Sequence, residues 1–117
     1  VVTGYVYDDD KVITAEGGWA MAPGFGFEMS FNIMLEKATI VYDCTRDPAF
    51  KVCPADGDAF TPEIPAGDGY SREIDYFVDT INGKQTEEIL TLEGSMNSVK
   101  LVRAEIESAK QRKFIEL

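Results

Sequence analysis

Phe25-Gly26-Phe27-Glu28-Met29-Ser30-Phe31-Asn32-Ile33-Met34-Leu35-Glu36 is the stretch on which the fold class turns. Phe25, Phe27, Met29, Phe31, Ile33 and Leu35 alternate without a break against Gly26, Glu28, Ser30, Asn32, Met34 and Glu36. A period of two over that length predicts one long strand with an apolar face. Glu36-Lys37 is a plausible tight turn into a second, antiparallel strand, Thr39 to Cys44, where Ile40, Tyr42 and Cys44 share a face.

Working outward, Val2 to Tyr7 and Val12 to Glu16 are rich in β-branched and aromatic residues and flank the polar Asp8-Asp9-Asp10, which predicts a hairpin. Gly17-Gly18-Trp19 interrupts it. On the other side, Phe50 to Cys53 reads as a strand, Pro54 to Asp58 as a turn, and Pro62 and Pro65 bound a short run through Phe60 that marks a sheet edge. From Tyr70 the period changes. Tyr70, Ile74, Phe77, Val78 and Ile81 fall on one helical stripe, with Asp68 as N-cap and Gly83 just past the end. A second stripe, Met96, Val99, Val102, Ile106 and Ala109, predicts a helix from about Glu93 to Arg112, with Lys110, Arg112 and Lys113 at the end the helix dipole favours for cations. Phe114-Ile115-Glu116-Leu117 returns to strand character.

Strands first and helices afterwards predict an α+β fold, a large, mostly antiparallel open sheet with helices packed on one face and the other face free. The 117 residues suit a single domain, 1–117. Tyr5, Tyr7 and the mixed rows of the strands would make a broad free surface, so a homo-oligomer formed through the sheet face is expected.

Twenty-one acidic against eleven basic residues give a net charge of -10. Such a chain repels a nucleic-acid backbone or an anionic membrane, and neither is an expected partner. The apolar runs fall far short of the roughly 20 residues of a spanning helix and no basic-then-apolar leader opens the chain, so the expected compartment is the cytoplasm. The two cysteines, Cys44 and Cys53, read as reduced packing residues, with a bridge across a hairpin as the alternative. Histidine is absent, which excludes a His base, a His metal ligand or a Ser-His pair within these residues. The start at Val1, directly in strand-like residues, reads as an excised piece.

Five segments in order carry a family resemblance: Glu16-Gly17-Gly18-Trp19 before the Phe25 to Leu35 strand; Ala38-Thr39-Ile40-Val41-Tyr42-Asp43; Gly69-Tyr70-Ser71-Arg72-Glu73-Ile74-Asp75-Tyr76-Phe77; Ile81-Asn82-Gly83-Lys84; and Ser108-Ala109-Lys110 with Phe114-Ile115-Glu116-Leu117. Together they resemble the C-terminal domain of the glucose-fructose oxidoreductase and inositol dehydrogenase family, with Ala38 where that family usually has glycine. The resemblance implies an oxidoreductase acting on a sugar, polyol or related hydroxyl compound. It also implies that NAD or NADP is bound by a separate N-terminal Rossmann domain, while this domain supplies a wall of the pocket for a carbohydrate-like substrate and the subunit interface. Gly24-Phe25-Gly26 lacks the third glycine and the following helix of the dinucleotide fingerprint and reads as a bend. The family's Lys-Pro and Asp-x-x-x-His segments have no counterpart here. The hydride-transfer machinery, on this reading, lies outside the sequence and these residues alone are inactive.

Two residues are candidate substrate contacts. Trp19, the only tryptophan, stands after a Gly-Gly bend at a strand end, where an indole either floors a sugar pocket or packs in a core or interface. Tyr70 opens its helix where the resemblance implies a tyrosine turned toward substrate, and it reads equally as a packing residue at a helix start. Glu16 and Arg72 read as exposed charges before contacts. Asp8-Asp9-Asp10 and Asp56-Gly57-Asp58 match no calcium loop and read as turns. A stand-alone, non-catalytic α+β module for ligand binding or dimerisation is the alternative function.

Overall fold

The computed structural model describes residues 1–84 and 89–117. Two β-rich runs, Val2–Val6 (β1) and Val12–Glu16 (β2), pair antiparallel with Val2 opposite Glu16 and Val6 opposite Val12. The turn between them carries Asp10 in the left-handed region (φ 60°), and Lys11 bridges Asp9 at 2.9 Å while its ammonium lies 4.8 Å from the Tyr7 ring centre. Three further strands, Ser30–Met34 (β3), Ala38–Asp43 (β4) and Phe50–Pro54 (β5), form an antiparallel meander in that spatial order. Two helices follow, Gly69–Ile81 (α1) and Leu92–Gln111 (α2).

The fold class is α+β, as the order of strands and helices predicts. Its strands are divided between a two-stranded and a three-stranded sheet, where the sequence pattern suggested one large sheet. The described residues form two compact units, one of residues 1–18 with 68–117 and one of residues 19–67. The first holds the hairpin and both helices, the second the meander.

In the meander, Phe31 stands opposite Tyr42 and Ile33 opposite Ile40, while across the next ladder Ile40 meets Val52 and Tyr42 meets Phe50. Directly opposed residues point to the same side of a sheet. One face is therefore Phe31, Ile33, Ile40, Tyr42, Phe50 and Val52, and the Phe31 and Tyr42 rings stack with centres 5.3 Å apart. The other face carries Ser30, Asn32, Thr39, Val41, Asp43, Lys51 and Cys53. The Glu36-Lys37 turn forms as expected, closed by Leu35 N–H donating to the Ala38 carbonyl at 2.9 Å. β4 ends at Asp43, whose carboxylate accepts from the Thr45 hydroxyl (2.7 Å), the Thr45 N–H (3.0 Å) and Arg46 Nε (2.8 Å). Those bonds, the Thr45 hydroxyl first, hold the Asp43 carboxyl below its ordinary range.

The long strand predicted over Phe25 to Leu35 is cut to Ser30–Met34. Alternation sets which side chains share a face, but a strand also needs a hydrogen-bonded neighbour. Pairing is continued by Cys44 N–H to the Met29 carbonyl (3.0 Å) and stops there, and upstream Gly26 turns to φ 84° while Phe25 N–H closes a turn on the Ala22 carbonyl. The tail 114–117 is likewise no strand, because α2 ends in a left-handed Arg112 (φ 54°) and Ser108 ties the tail back by donating to the Lys113 carbonyl at 2.7 Å.

α1 begins as its sequence predicts. The Asp68 carboxylate accepts the Ser71 N–H at 2.8 Å and the Ser71 hydroxyl accepts the Asp68 N–H at 3.2 Å, a reciprocal capping box. Beyond the end, Gly83 takes φ 67°, a conformation that suits a residue without Cβ. α2 is capped by Thr91, whose hydroxyl accepts the Gly94 N–H at 2.8 Å. The face α2 turns to the hairpin is Leu101, Ala104, Glu105 and Ser108, which with Thr3, Gly4 and Tyr5 line a small gap, and the Tyr5 hydroxyl donates to the Glu105 carboxylate. That bond, a little burial and the carboxylate charge raise the Tyr5 pKa above its usual value. The apolar stripe that marks α2 in the sequence, Met96, Val99, Val102 and Ile106, lies on a different side and remains 50–59% exposed.

No described residue is buried, and the chain exposes 10747 Å². Two separately folded globules of the same combined length would expose about 7,600 Å² by the scaling of surface with mass. Roughly 3,000 Å² more than folding normally leaves in water is therefore uncovered.

Two outcomes follow from these geometries. Asp68 has a folded pKa below its unfolded value of about 3.9, so its contribution is present above that pH and is lost as pH falls through the lowered value. Far-ultraviolet circular dichroism should show helix lost below about pH 4 in the parent and less acid-dependent loss in Asp68→Asn, which has no carboxyl to protonate. Cys53 stands opposite Thr39, five positions along β4 from Cys44, or roughly 16 Å of strand, well beyond the ~7 Å limit for a disulfide. Thiol titration after mild oxidation should still count two free thiols in the monomeric fraction, and an intramolecular bridge by mass spectrometry would contradict the register.

Candidate functional site

Trp19 opens the 19–67 unit, just beyond Gly17, which continues the hairpin by exchanging hydrogen bonds with Val1, and is fully in water at 103% relative exposure. Tyr70 occupies the first turn of α1 in the other unit and is 81% exposed. Each presents an aromatic surface that the contacts of its own unit leave uncovered, the property a substrate platform or an interface residue requires. Glu16 ends β2 as an exposed strand residue opposite Val2. Arg72 lies in the first turn of α1, where its charge adds slightly to the lowering of the Asp68 pKa that the Ser71 N–H dominates.

One concavity on the 1–18 and 68–117 unit was not foreseen from the sequence. It is an open cleft of about 430 Å³, lined by the apolar Ile74 and Phe77 of α1, Leu90 before α2 and Leu92 at its start, together with Glu73, Thr80 and Ser95. Tyr76 fixes one wall, since its hydroxyl accepts the N–H groups of Ile89 (3.0 Å) and Leu90 (3.3 Å) and so holds the segment entering α2 beside α1. Thr91, the cap of α2, completes the lining. Tyr70 is on the same helix as Ile74 but is not part of this lining. The available signal was Thr91 with Gly94 three residues on, a helix start just after Leu90. The Tyr76 bonds join residues 13 and 14 positions apart and have no sequence signature.

Chemically the cleft is an apolar slot with hydroxyls and one carboxylate at its edge. Among the described residues, the groups with displaced pKa values, Tyr5, Asp43 and Asp68, lie outside it, and each shift follows from a hydrogen bond that shapes the backbone or joins two elements. Among the described residues no cluster of three His, Cys, Asp or Glu side chains is arranged to hold a metal ion, and no helix is long and apolar enough to cross a membrane.

The same residues do not fit a dinucleotide. A pyrophosphate needs free N–H groups at a helix N-terminus behind a glycine-rich turn. The α1 terminus is already occupied by the Asp68 carboxylate, the α2 terminus by Thr91, and Gly24-Phe25-Gly26 runs on toward β3 and not into a helix. Comparison with known proteins returned no matching family model, no matching curated protein and no matching solved structure.

If Tyr76 sets the cleft, Tyr76→Phe should leave the Ile89 and Leu90 N–H groups without that acceptor. A loss of about 1 kcal/mol in urea unfolding is expected, with faster amide exchange at residues 89 and 90. Unchanged exchange at both amides would show that the hydroxyl does not hold the segment.

Proposed function

We propose that this chain is the C-terminal domain of an NAD(P)-dependent oxidoreductase acting on a sugar, polyol or related hydroxyl compound. In this role it supplies one wall of the substrate pocket and the surface through which subunits associate. Trp19 and Tyr70 are its proposed contacts to a carbohydrate-like substrate, the indole by stacking on an apolar sugar face and the phenol by hydrogen bonding. On this reading, as the resemblance implies, NAD or NADP is bound by a separate Rossmann domain, and no step of hydride transfer is assigned to this chain. The cytoplasm is the proposed compartment, which suits two cysteines that are both free.

The observation that carries the reading is the face of Phe31, Ile33, Ile40, Tyr42, Phe50 and Val52. It is a continuous apolar surface on a three-stranded sheet, with Phe31 and Ile33 each 45% exposed. A domain that ends in such a face is built to be covered. Of the segments that carry the resemblance, Ala38–Asp43 is β4 and Tyr70 to Phe77 lies in the capped helix α1, which ends at Asn82. A stand-alone binding module is the second reading, and the cleft between α1 and the approach to α2 is the feature that favours it.

Light scattering at high concentration should report dimers or larger species. Ile33→Asp, on the apolar face, should shift them to monomers, whereas Asn32→Asp on the opposite face should not. Monomers alone for the parent chain would overturn association through the sheet. The enzyme reading is tested by the gene. The reading frame ahead of Val1 should encode roughly 150 further residues with a glycine-rich strand-to-helix turn, a Lys-Pro segment and an Asp-x-x-x-His motif. A start codon immediately before Val1 would leave the module reading in its place.

A further inference from the structure

We draw no further inference here: the strongest candidate, the half-exposed apolar stripe of Met96, Val99, Val102 and Ile106 on α2, is an unpartnered helix face and nothing in the structure shows what covers it.

Discussion

Removal of apolar surface from water is the constraint on which everything else in this protein depends, and within the described residues it is left incomplete. The ladders and caps are in place: three antiparallel pairings in register, a capping box on α1 and a threonine cap on α2. These satisfy backbone hydrogen bonds but contribute only modestly to net stability, because the unfolded chain makes equivalent bonds to water. The larger favourable term is burial, and no described side chain is buried. About 3,000 Å² of excess surface is several times the ~800 Å² that one partner contributes to an interface of ordinary size.

Apolar pattern and pairing agree in the meander, whereas pattern and contact part company in α2. In the meander, alternation put Phe31 and Ile33 on one face of their strand and Ile40 and Tyr42 on one face of the next, and the register sets those two faces on the same side of the sheet. In α2, the periodic stripe through Met96 and Ile106 correctly marked a helix, yet the side turned to the hairpin is Leu101, Ala104, Glu105 and Ser108, anchored by Tyr5 on Glu105. Periodicity reports which residues would be buried in a finished structure. Contact reports which are covered now, and the difference between them is an unfilled face.

Much of the fold was legible for that reason. The hairpin, the Glu36-Lys37 turn, the Asp68 cap and the glycine at 83 are each set by residues within a few positions, so local chemistry determines them. The length of β3 was not legible, because it depends on where β4 stops, and that is decided by the Asp43 carboxylate gathering Thr45 and Arg46. The division of strands between two sheets is also a matter of pairing, which alternation cannot specify. Trp19 and Tyr70, singled out from the sequence, are exposed aromatics outside the cleft, and the cleft itself rests on Tyr76 bonds between residues 13 and 14 positions apart, which local pattern does not report.

Amide hydrogen exchange measured as a function of protein concentration tests most directly the claim that the apolar sheet face is covered by a second copy. Protection at residues 30–34 and 50–54 should rise with concentration, while the hairpin turn at residues 8–10 stays fast throughout. Exchange in the meander that is independent of concentration, in a sample that remains monomeric, would contradict the account.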